Sequence, residues 1–162
     1  MKPKKSRDNK KSVGAPRIDI RNRKASHDFK FEKEFTAGIK LLGSEVKSIA
    51  NGNASIADAY AYVSKGEIFI KNMYVAELDG KPDAHIPNRE RKLLLKRIEI
   101  DKIENELKDK GTTLVVTQIY NKKGLIKVQL QLARGKKSYD KRNDLREKDS
   151  KMEIARALSK QE

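Results

Sequence analysis

The sequence predicts a mainly β fold, a small closed antiparallel barrel with two or three short accessory helices. Apolar and polar residues alternate in several short segments. Two pairs of these segments flank short turn sequences, "SKGE" at 64–67 and "NKKG" at 121–124, which indicates hairpins. The pattern contains no long crossover helix of the kind that parallel strands need. Within this class an oligonucleotide-binding-type barrel fits best, and an open sheet backed by helices is the alternative.

The individual elements follow from local patterns. Residues 29–41 predict one or two half-buried strands, with Phe29, Phe31 and Phe35 on one face. In 98–109, Ile100, Ile103 and Leu107 share a helix face. The other predicted strands are 54–63, 68–78, 112–120 and 125–133, and the other predicted helices are 44–50 and a short one within 88–96.

The net charge of +15 lies mostly at the two ends of the chain. Residues 1–24 carry ten Lys or Arg and two acids, whereas the middle of the chain is nearly balanced. Such localisation indicates a polyanionic partner, with nucleic acid as the first candidate and an anionic membrane surface as the second. We predict a disordered basic arm at 1–21, a barrel domain at 22–133 and a basic tail at 134–162. The tail has a weak apolar face, so we expect it to be helical only when bound.

Little in the sequence points to catalysis, a cofactor or a membrane. The chain has no Cys, no apolar run near the length of a membrane span and no phosphate-cradling glycine loop. We therefore expect a cytoplasmic protein that is not an enzyme and needs no cofactor or metal. A metal-dependent nuclease using His27 and Asp28 is a rival hypothesis, although adjacent strand residues would point to opposite faces.

Basic clusters supply candidate phosphate contacts. Residues 22–24 read "NRK", and "RERKLLLKR" at 89–97 would place Arg89 and Lys92 on one helix face. Most strand aromatics, which are Tyr60, Tyr62, Phe69, Tyr74 and Tyr120, are expected in the core. Tyr139 lies within the basic tail without apolar neighbours, so it is a candidate for stacking on a base.

Four motifs, in order, carry a family resemblance: "NRKASHDF", "AGIKLLGSEVKSI", "HIPNRERKLLL" and "LARGKKSYDKR". They resemble the small protein B (SsrA-binding) family over about residues 20–160. The resemblance implies a protein that binds the tRNA-like domain of transfer-messenger RNA and delivers it to stalled ribosomes for peptide tagging and ribosome rescue. A general structured-RNA or ribosome-binding barrel without a tagging role is the alternative.

The resemblance also implies partners and a division of labour. The tail would occupy the empty mRNA channel near the decoding site of the small subunit, with one monomer on each RNA. The elongation factor carrying the aminoacylated RNA is a further candidate partner. Thr36 and Ala50 depart from the family pattern, which many members fill with Glu and Arg.

Residue by residue, the matching motifs imply two sets of site residues. The implied RNA-binding residues are Asn22, Arg23, Lys24, Glu45, Lys47, Arg89, Arg91, Lys92 and Leu94. The implied ribosome-binding residues of the tail are Arg134, Gly135, Lys136, Lys137, Tyr139, Asp140, Lys141 and Arg142.

Overall fold

A computed structural model describes residues 17–78 and 85–159. This part of the chain contains nine strands and four helices. The strands are β1 Asp19–Arg21, β2 Phe29–Ile39, β3 Ala54–Ser55, β4 Tyr60–Ser64, β5 Glu67–Lys71, β6 Tyr74–Val75, β7 Arg91–Leu94, β8 Thr112–Lys122 and β9 Leu125–Gly135. The helices are α1 Ala25–Asp28, α2 Gly43–Ala50, α3 Arg97–Leu107 and α4 Ser138–Leu158.

Seven of the described strands form one antiparallel sheet in the order β1-β8-β4-β5-β7-β2-β9. β9 pairs along its length with both β2 and β8, so the hydrogen-bonded order returns to β8. The remaining two strands, β3 and β6, form a separate short ladder. The predicted hairpins β4–β5 and β8–β9 are confirmed, as is the predicted helix α3.

The core consists of inward-facing Ile, Leu and Val side chains from the sheet, α2 and α3. A register shift between Phe31 and Lys33 on β2 divides the aromatic residues of this strand. After the shift Phe35 packs on the main core, whereas Phe29 and Phe31 pack on a second, smaller cluster. The prediction of one shared face was wrong, because an extra residue in one strand reverses which face the following side chains occupy.

The second cluster attaches α1 to the sheet. Its buried members are Ala25 of α1, Val115 of β8 and Ala133 of β9. α1 therefore has a fixed place where β2 begins and β9 ends, although it has only four residues.

Three predicted elements were wrong. Residues 68–78 are not one strand, because β5 ends at Lys71 and β6 pairs with β3 in the separate ladder. Residues 54–63 are not one strand, because β3 ends at Ser55 and the chain turns before β4. The short helix predicted within 88–96 is the strand β7, which pairs with β2 and β5. In β7, Arg91 and Leu93 are buried while Leu94 is exposed, so the burial alternates as in a strand.

Residues of both predicted tails take part in the sheet, which was not predicted. Residues 19–21 of the predicted disordered arm form β1 on β8. Residues 1–16 of that arm and the loop predicted for "DGKPD" at 79–83 lie outside the described residues. Arg134 and Gly135 belong to β9, because backbone pairing with β2 continues after the apolar alternation ends. The helix of the tail begins at Ser138 and buries none of its residues, and its folding only on binding stays a prediction.

Candidate nucleic-acid interface

Asn22 is partly buried, and its side-chain amide makes four hydrogen bonds. Its Nδ2 donates to the backbone carbonyls of Ile56, Ala57 and Val116 at 3.1, 3.2 and 3.3 Å. Its Oδ1 accepts from the backbone N–H of Ala25 at 3.1 Å, in the manner of a helix-capping side chain. The amide thus ties α1 to the segment between β3 and β4 and to β8. Its contact with RNA stays a prediction.

The next two residues face solvent. Arg23 and Lys24 are both exposed at the start of α1. Lys24 lines a cleft of about 350 Å³ between α1 and the start of β4, together with Asp28, Asp58 and Tyr60. The fixed position of α1 presents these two cations at a defined place on the surface. A pair of exposed cations on a rigid support is suited to contact phosphates.

A buried ion network joins α2 to β7 and the segment before it. Glu45 and Arg91 are both 0% exposed. Glu45 Oε1 accepts from Arg91 Nε at 3.0 Å and from Arg89 Nε at 2.7 Å. Glu45 Oε2 accepts from Arg89 Nη2 at 2.6 Å and from the backbone N–H of Leu42 at 2.8 Å.

The Arg91 guanidinium also organises the surrounding backbone. Its Nη1 donates to the carbonyl oxygens of Met73 and Arg89, each at 2.9 Å, and its Nη2 donates to that of Pro87 at 3.0 Å. A planar fork with five donors suits such a role, and an Arg side chain stays charged at any physiological pH. Buried charges are tolerated only when they are paired in this way.

The electrostatics keep Glu45 ionised. Burial raises the pKa of the Glu45 carboxyl, but the hydrogen bonds from Arg89 and Leu42 and the charges of Arg91 and Arg89 outweigh burial. The pKa of Glu45 therefore lies below its ordinary value. Glu45 and Arg91 are sealed from solvent, so these two predicted RNA-binding residues lie beneath the surface. Arg89 lies at the edge of the network, with its side chain 28% exposed.

The remaining predicted contacts on this side point outward. Lys47 on α2 is exposed, and Leu94 is 53% exposed on β7. Lys92 is partly exposed and pairs with Glu67 across the β5–β7 ladder. The strand geometry explains the split, since Lys92 and Leu94 lie on the opposite face of β7 from Arg91.

The tail motif likewise divides into inward and outward residues. Lys136 donates to the Ser26 carbonyl of α1 and pairs with Asp144 of α4, and its side chain is only 19% exposed. Lys141 pairs with Asp28 of α1. Lys137, Tyr139 and Arg142 are exposed, as the motif predicted for Tyr139. The other members of the motif are Arg134, which pairs with Glu32 and Asp109, Gly135 at the end of β9, and Asp140 in the first turn of α4.

An aromatic strip on the outer face of β4 and β5 was not predicted. Tyr62 and Phe69 stack with ring centroids 6.0 Å apart, and Tyr60 follows at 6.5 Å from Tyr62. Tyr60 is 37% exposed, and the Tyr62 hydroxyl donates to Glu90 at 2.7 Å. The prediction that these rings lie in the core is wrong. The inward positions of the two strands hold other residues, Ala61, Ile68 and Ile70, which alternate with the rings in the sequence.

The two histidines have different environments. His85 is buried, with Nδ1 3.0 Å from the Ser44 hydroxyl and Nε2 3.0 Å from the Val75 carbonyl oxygen. Its role is therefore structural. His27 Nδ1 lies 3.1 Å from Asp28 Oδ1 because both residues are in α1 and not in a strand, which corrects the expected geometry. No cluster of three or more potential metal ligands occurs in residues 17–78 and 85–159.

The two positions that depart from the family pattern also differ in burial. Thr36 is exposed on β2 opposite Gln129. Ala50 is partly buried at the end of α2, where it packs against the core. A long cationic side chain at position 50 would have to pass along this packed surface to reach solvent.

A model of the family described as SmpB protein matches residues 19–160 of this chain. The chain belongs to the SmpB protein family. The match to the SmpB model begins in β1 and continues through α4, so the sheet, α1 and the C-terminal helix all lie within the region that defines the family.

Known relatives agree with the SmpB assignment. The SsrA-binding protein of Macrococcus caseolyticus is 46% identical over 146 residues, which is 90% of this chain and 95% of the relative. That of Bacteroides thetaiotaomicron is 43% identical over 147 residues, covering 90% and 98%. A solved chain from a study of tmRNA-SmpB in the bacterial ribosome matches with a TM-score of 0.62 and 40% identity, covering 76% of this chain and 87% of that one.

Within the described part of this SmpB chain, no helix is both long and apolar enough to span a membrane.

Proposed function

We propose that this chain binds the tRNA-like domain of transfer-messenger RNA and delivers it to stalled ribosomes for peptide tagging and ribosome rescue. The observation that carries the proposal is the SmpB match over residues 19–160, supported by full-length relatives named SsrA-binding protein. The exposed cations at the start of α1 supply the chemistry that a phosphate backbone requires. The chain has no catalytic part in this proposal, because the ribosome carries out peptide transfer, and it needs no cofactor.

The sheet forms the body of this RNA-binding unit. We infer that it is a closed barrel of the oligonucleotide-binding type, because the ladders of β9 with β2 and with β8 return the strand order to β8. A closed barrel leaves no long unpaired edge and gives loops and short helices a rigid base. The barrel then comprises the seven strands of this sheet, and β3 and β6 form their own ladder.

The RNA-facing set is smaller than the motifs imply. We assign contact to the outward residues, and assign Asn22, Glu45 and Arg91 to holding the backbone beneath them. For Glu45 and Arg91 this division follows burial, since a side chain sealed from solvent cannot reach a phosphate without opening the network that holds it. For Asn22 it follows the hydrogen bonds of the side-chain amide, which are made to backbone groups. The assigned contact residues are Arg23, Lys24, Lys47, Arg89, Lys92 and Leu94.

We infer that the tail binds the ribosome. α4 buries none of its residues in the chain itself, so its exposed side chains are free for a partner. We assign Lys137, Tyr139 and Arg142 to ribosomal RNA near the decoding site, with the helix in the mRNA channel. One copy of the chain acts on each RNA in the cytoplasm, and the elongation factor that carries the aminoacylated RNA is a further partner.

Competition binding tests this function. The full chain is titrated against labelled transfer-messenger RNA with an excess of unlabelled tRNA present. Selective binding, with the labelled RNA retained at tRNA concentrations that saturate non-specific sites, is expected. Equal competition by tRNA would instead identify a general structured-RNA-binding barrel without a tagging role.

A further inference from the structure

The ion network around Glu45 carries more positive than negative charge. Its charged members are the carboxylate of Glu45 and the guanidinium groups of Arg89 and Arg91. Both Arg side chains stay charged at physiological pH, and the pKa of the Glu45 carboxyl lies below its ordinary value. Two cations therefore share one anion. Because a charge held away from water needs an opposite charge nearby, the network favours a further anionic partner.

The Glu45 carboxylate has no capacity left for another donor. Each of its two oxygens accepts two hydrogen bonds, of which two come from Arg89, one from Arg91 and one from the Leu42 backbone. A carboxylate offers about four such acceptor positions. The carboxylate therefore binds both guanidinium groups fully and still leaves one positive charge unbalanced.

The excess charge reaches the surface at Arg89. Glu45 and Arg91 are both 0% exposed, whereas the Arg89 side chain is 28% exposed. The next carboxylate in the chain, that of Glu90, is committed elsewhere. It accepts from the Tyr62 hydroxyl at 2.7 Å and lies 3.5 Å from Lys71 Nζ. Of the three charged members of the network, Arg89 is therefore the one that an outside anion can meet.

Arg89 also has hydrogen-bond donors to offer at this surface. Its guanidinium carries five N–H groups in a planar fork. Nε and Nη2 donate to the two oxygens of Glu45 at 2.7 and 2.6 Å, and Nη1 donates to the carbonyl oxygen of Glu90 at 3.2 Å. Within the described part of the chain these bonds leave one N–H group on each terminal nitrogen. The double contact with Glu45 fixes the plane of the guanidinium, so the two remaining N–H groups have fixed directions.

We propose that Glu45 is a positioning residue that presents Arg89 to a phosphodiester group of the RNA. The remaining N–H groups of Arg89 donate to the non-bridging oxygens of the phosphate, whose charge balances the network. Glu45 itself does not touch the RNA in this arrangement. Guanidinium–phosphate pairs with two hydrogen bonds add directional specificity to charge attraction. The inference rests on the proposed function and adds to it the group that Arg89 binds and the reason for a buried carboxylate behind it.

The geometry of Arg89 should therefore matter beyond its charge. Lys at this position keeps the charge, but one ammonium group lacks the planar fork that contacts a carboxylate and a phosphate together. Arg89→Lys should weaken the affinity for transfer-messenger RNA by about ten-fold, the factor that corresponds to loss of one hydrogen bond to a charged group. The slope of log affinity against log salt should stay the same, because the charge is retained.

The matched control is the same substitution at an exposed arginine of α1. Arg23→Lys should change the affinity by less than about two-fold, because a contact that acts through charge is retained by Lys. Fluorescence anisotropy measures the affinity and the slope, and circular dichroism shows that each variant is folded at the assay temperature. Unchanged affinity of Arg89→Lys, or an equal loss in Arg23→Lys, would overturn the proposal.

Nuclear magnetic resonance of the parent chain with isotope-labelled arginine tests the site without any substitution. Inorganic phosphate is the probe, and it replaces chloride at constant ionic strength. We expect the Nε–H signal of Arg89, assigned through its own backbone signals, to be resolved before phosphate is added and to shift as phosphate is added. The Arg23 signal should shift less at every concentration. Equal shifts of the two signals, or no shift at Arg89, would overturn the proposal.

The anion site and the proposed function fail separately in these experiments. If the parent chain does not bind transfer-messenger RNA while phosphate shifts the Arg89 signal, the proposed function is refuted and the anion site stands. If the parent chain binds this RNA and Arg89→Lys binds it equally well, the role of Arg89 is refuted and the proposed function stands.

Discussion

Arg91 Nε donates to Glu45 Oε1 at 3.0 Å, and neither side chain is exposed to solvent. This pair joins α2 to β7 and fixes the loop backbone through the other donors of Arg91. Charged residues of a sequence motif can therefore lie inside the fold and hold the backbone in place.

Neutralising Glu45 should destabilise the fold. Glu45→Gln leaves the Arg91 charge buried without its counter-charge, so we expect the free energy of unfolding to fall by about 3–5 kcal/mol. Urea denaturation followed by circular dichroism measures it. Glu104→Gln, at an exposed position of α3, is the control and should change stability by less than about 0.5 kcal/mol. Unchanged stability with weakened RNA binding would mean that Glu45 acts at the RNA and not in the framework.

The same carboxylate should make stability depend on acidity. Its folded-state pKa lies below the ordinary value of 4.5, so the folded state binds fewer protons than the unfolded chain near that pH. The stabilisation is fully present above pH 4.5 and is lost as the pH falls through the folded-state pKa. Unfolding free energies of the parent chain and Glu45→Gln, measured from pH 6 downward, should converge in acid. A constant difference across this range would contradict the assignment.

Arg23 and Lys24 should act through charge alone. Because each exposed cation releases counterions when it meets a phosphate, Arg23→Gln with Lys24→Gln should reduce the slope of log affinity against log salt by about 1.4–1.8. Fluorescence anisotropy with transfer-messenger RNA at several salt concentrations measures the slope. Lys102→Gln with Lys110→Gln removes the same charge from the α3 region and should leave the slope nearly unchanged. Equal effects of the two double variants would indicate a diffuse field and no local site.

Asn22 should behave differently from its two neighbours. Asn22→Ala removes donors from three backbone carbonyls, so we expect a loss of about 1–3 kcal/mol in unfolding free energy. RNA affinity of the folded protein should be retained at low temperature, with an unchanged salt slope. Asn88→Ala, at an exposed position, is the control. A large loss of affinity without a loss of stability would restore Asn22 to the contact set.

The periodicity of apolar residues predicted most of the strands and helices. It failed where a charged residue faces the core or an aromatic residue faces outward. The alternation in β7 is visible only if Arg91 counts as a core residue, which its sequence gives no reason to do. The aromatic rings of β4 and β5 were assigned inward by hydrophobicity, although small and branched residues at alternate positions fill the interior. The shift near Glu32 that separates Phe35 from Phe31 has no sequence signal of its own.

The candidate site was predicted as a set of segments, without the division of roles inside each segment. The "NRK" segment contains one framework residue and two exposed cations. The tail motif contains two lysines that face α1 beside residues that face solvent. Residue type cannot separate these roles, because Lys suits both a phosphate and a carboxylate, and only the position of Asp28 decides between them.

In the proposed function, the sheet binds transfer-messenger RNA and the C-terminal helix performs the ribosomal step. The most direct test compares the full chain with a chain that ends at Lys137, just before α4, in a purified translation system stalled on a truncated message. We predict nearly equal affinity of both chains for transfer-messenger RNA, and peptide tagging by the full chain alone. Tagging by the shortened chain, or loss of its RNA affinity, would refute this division of roles.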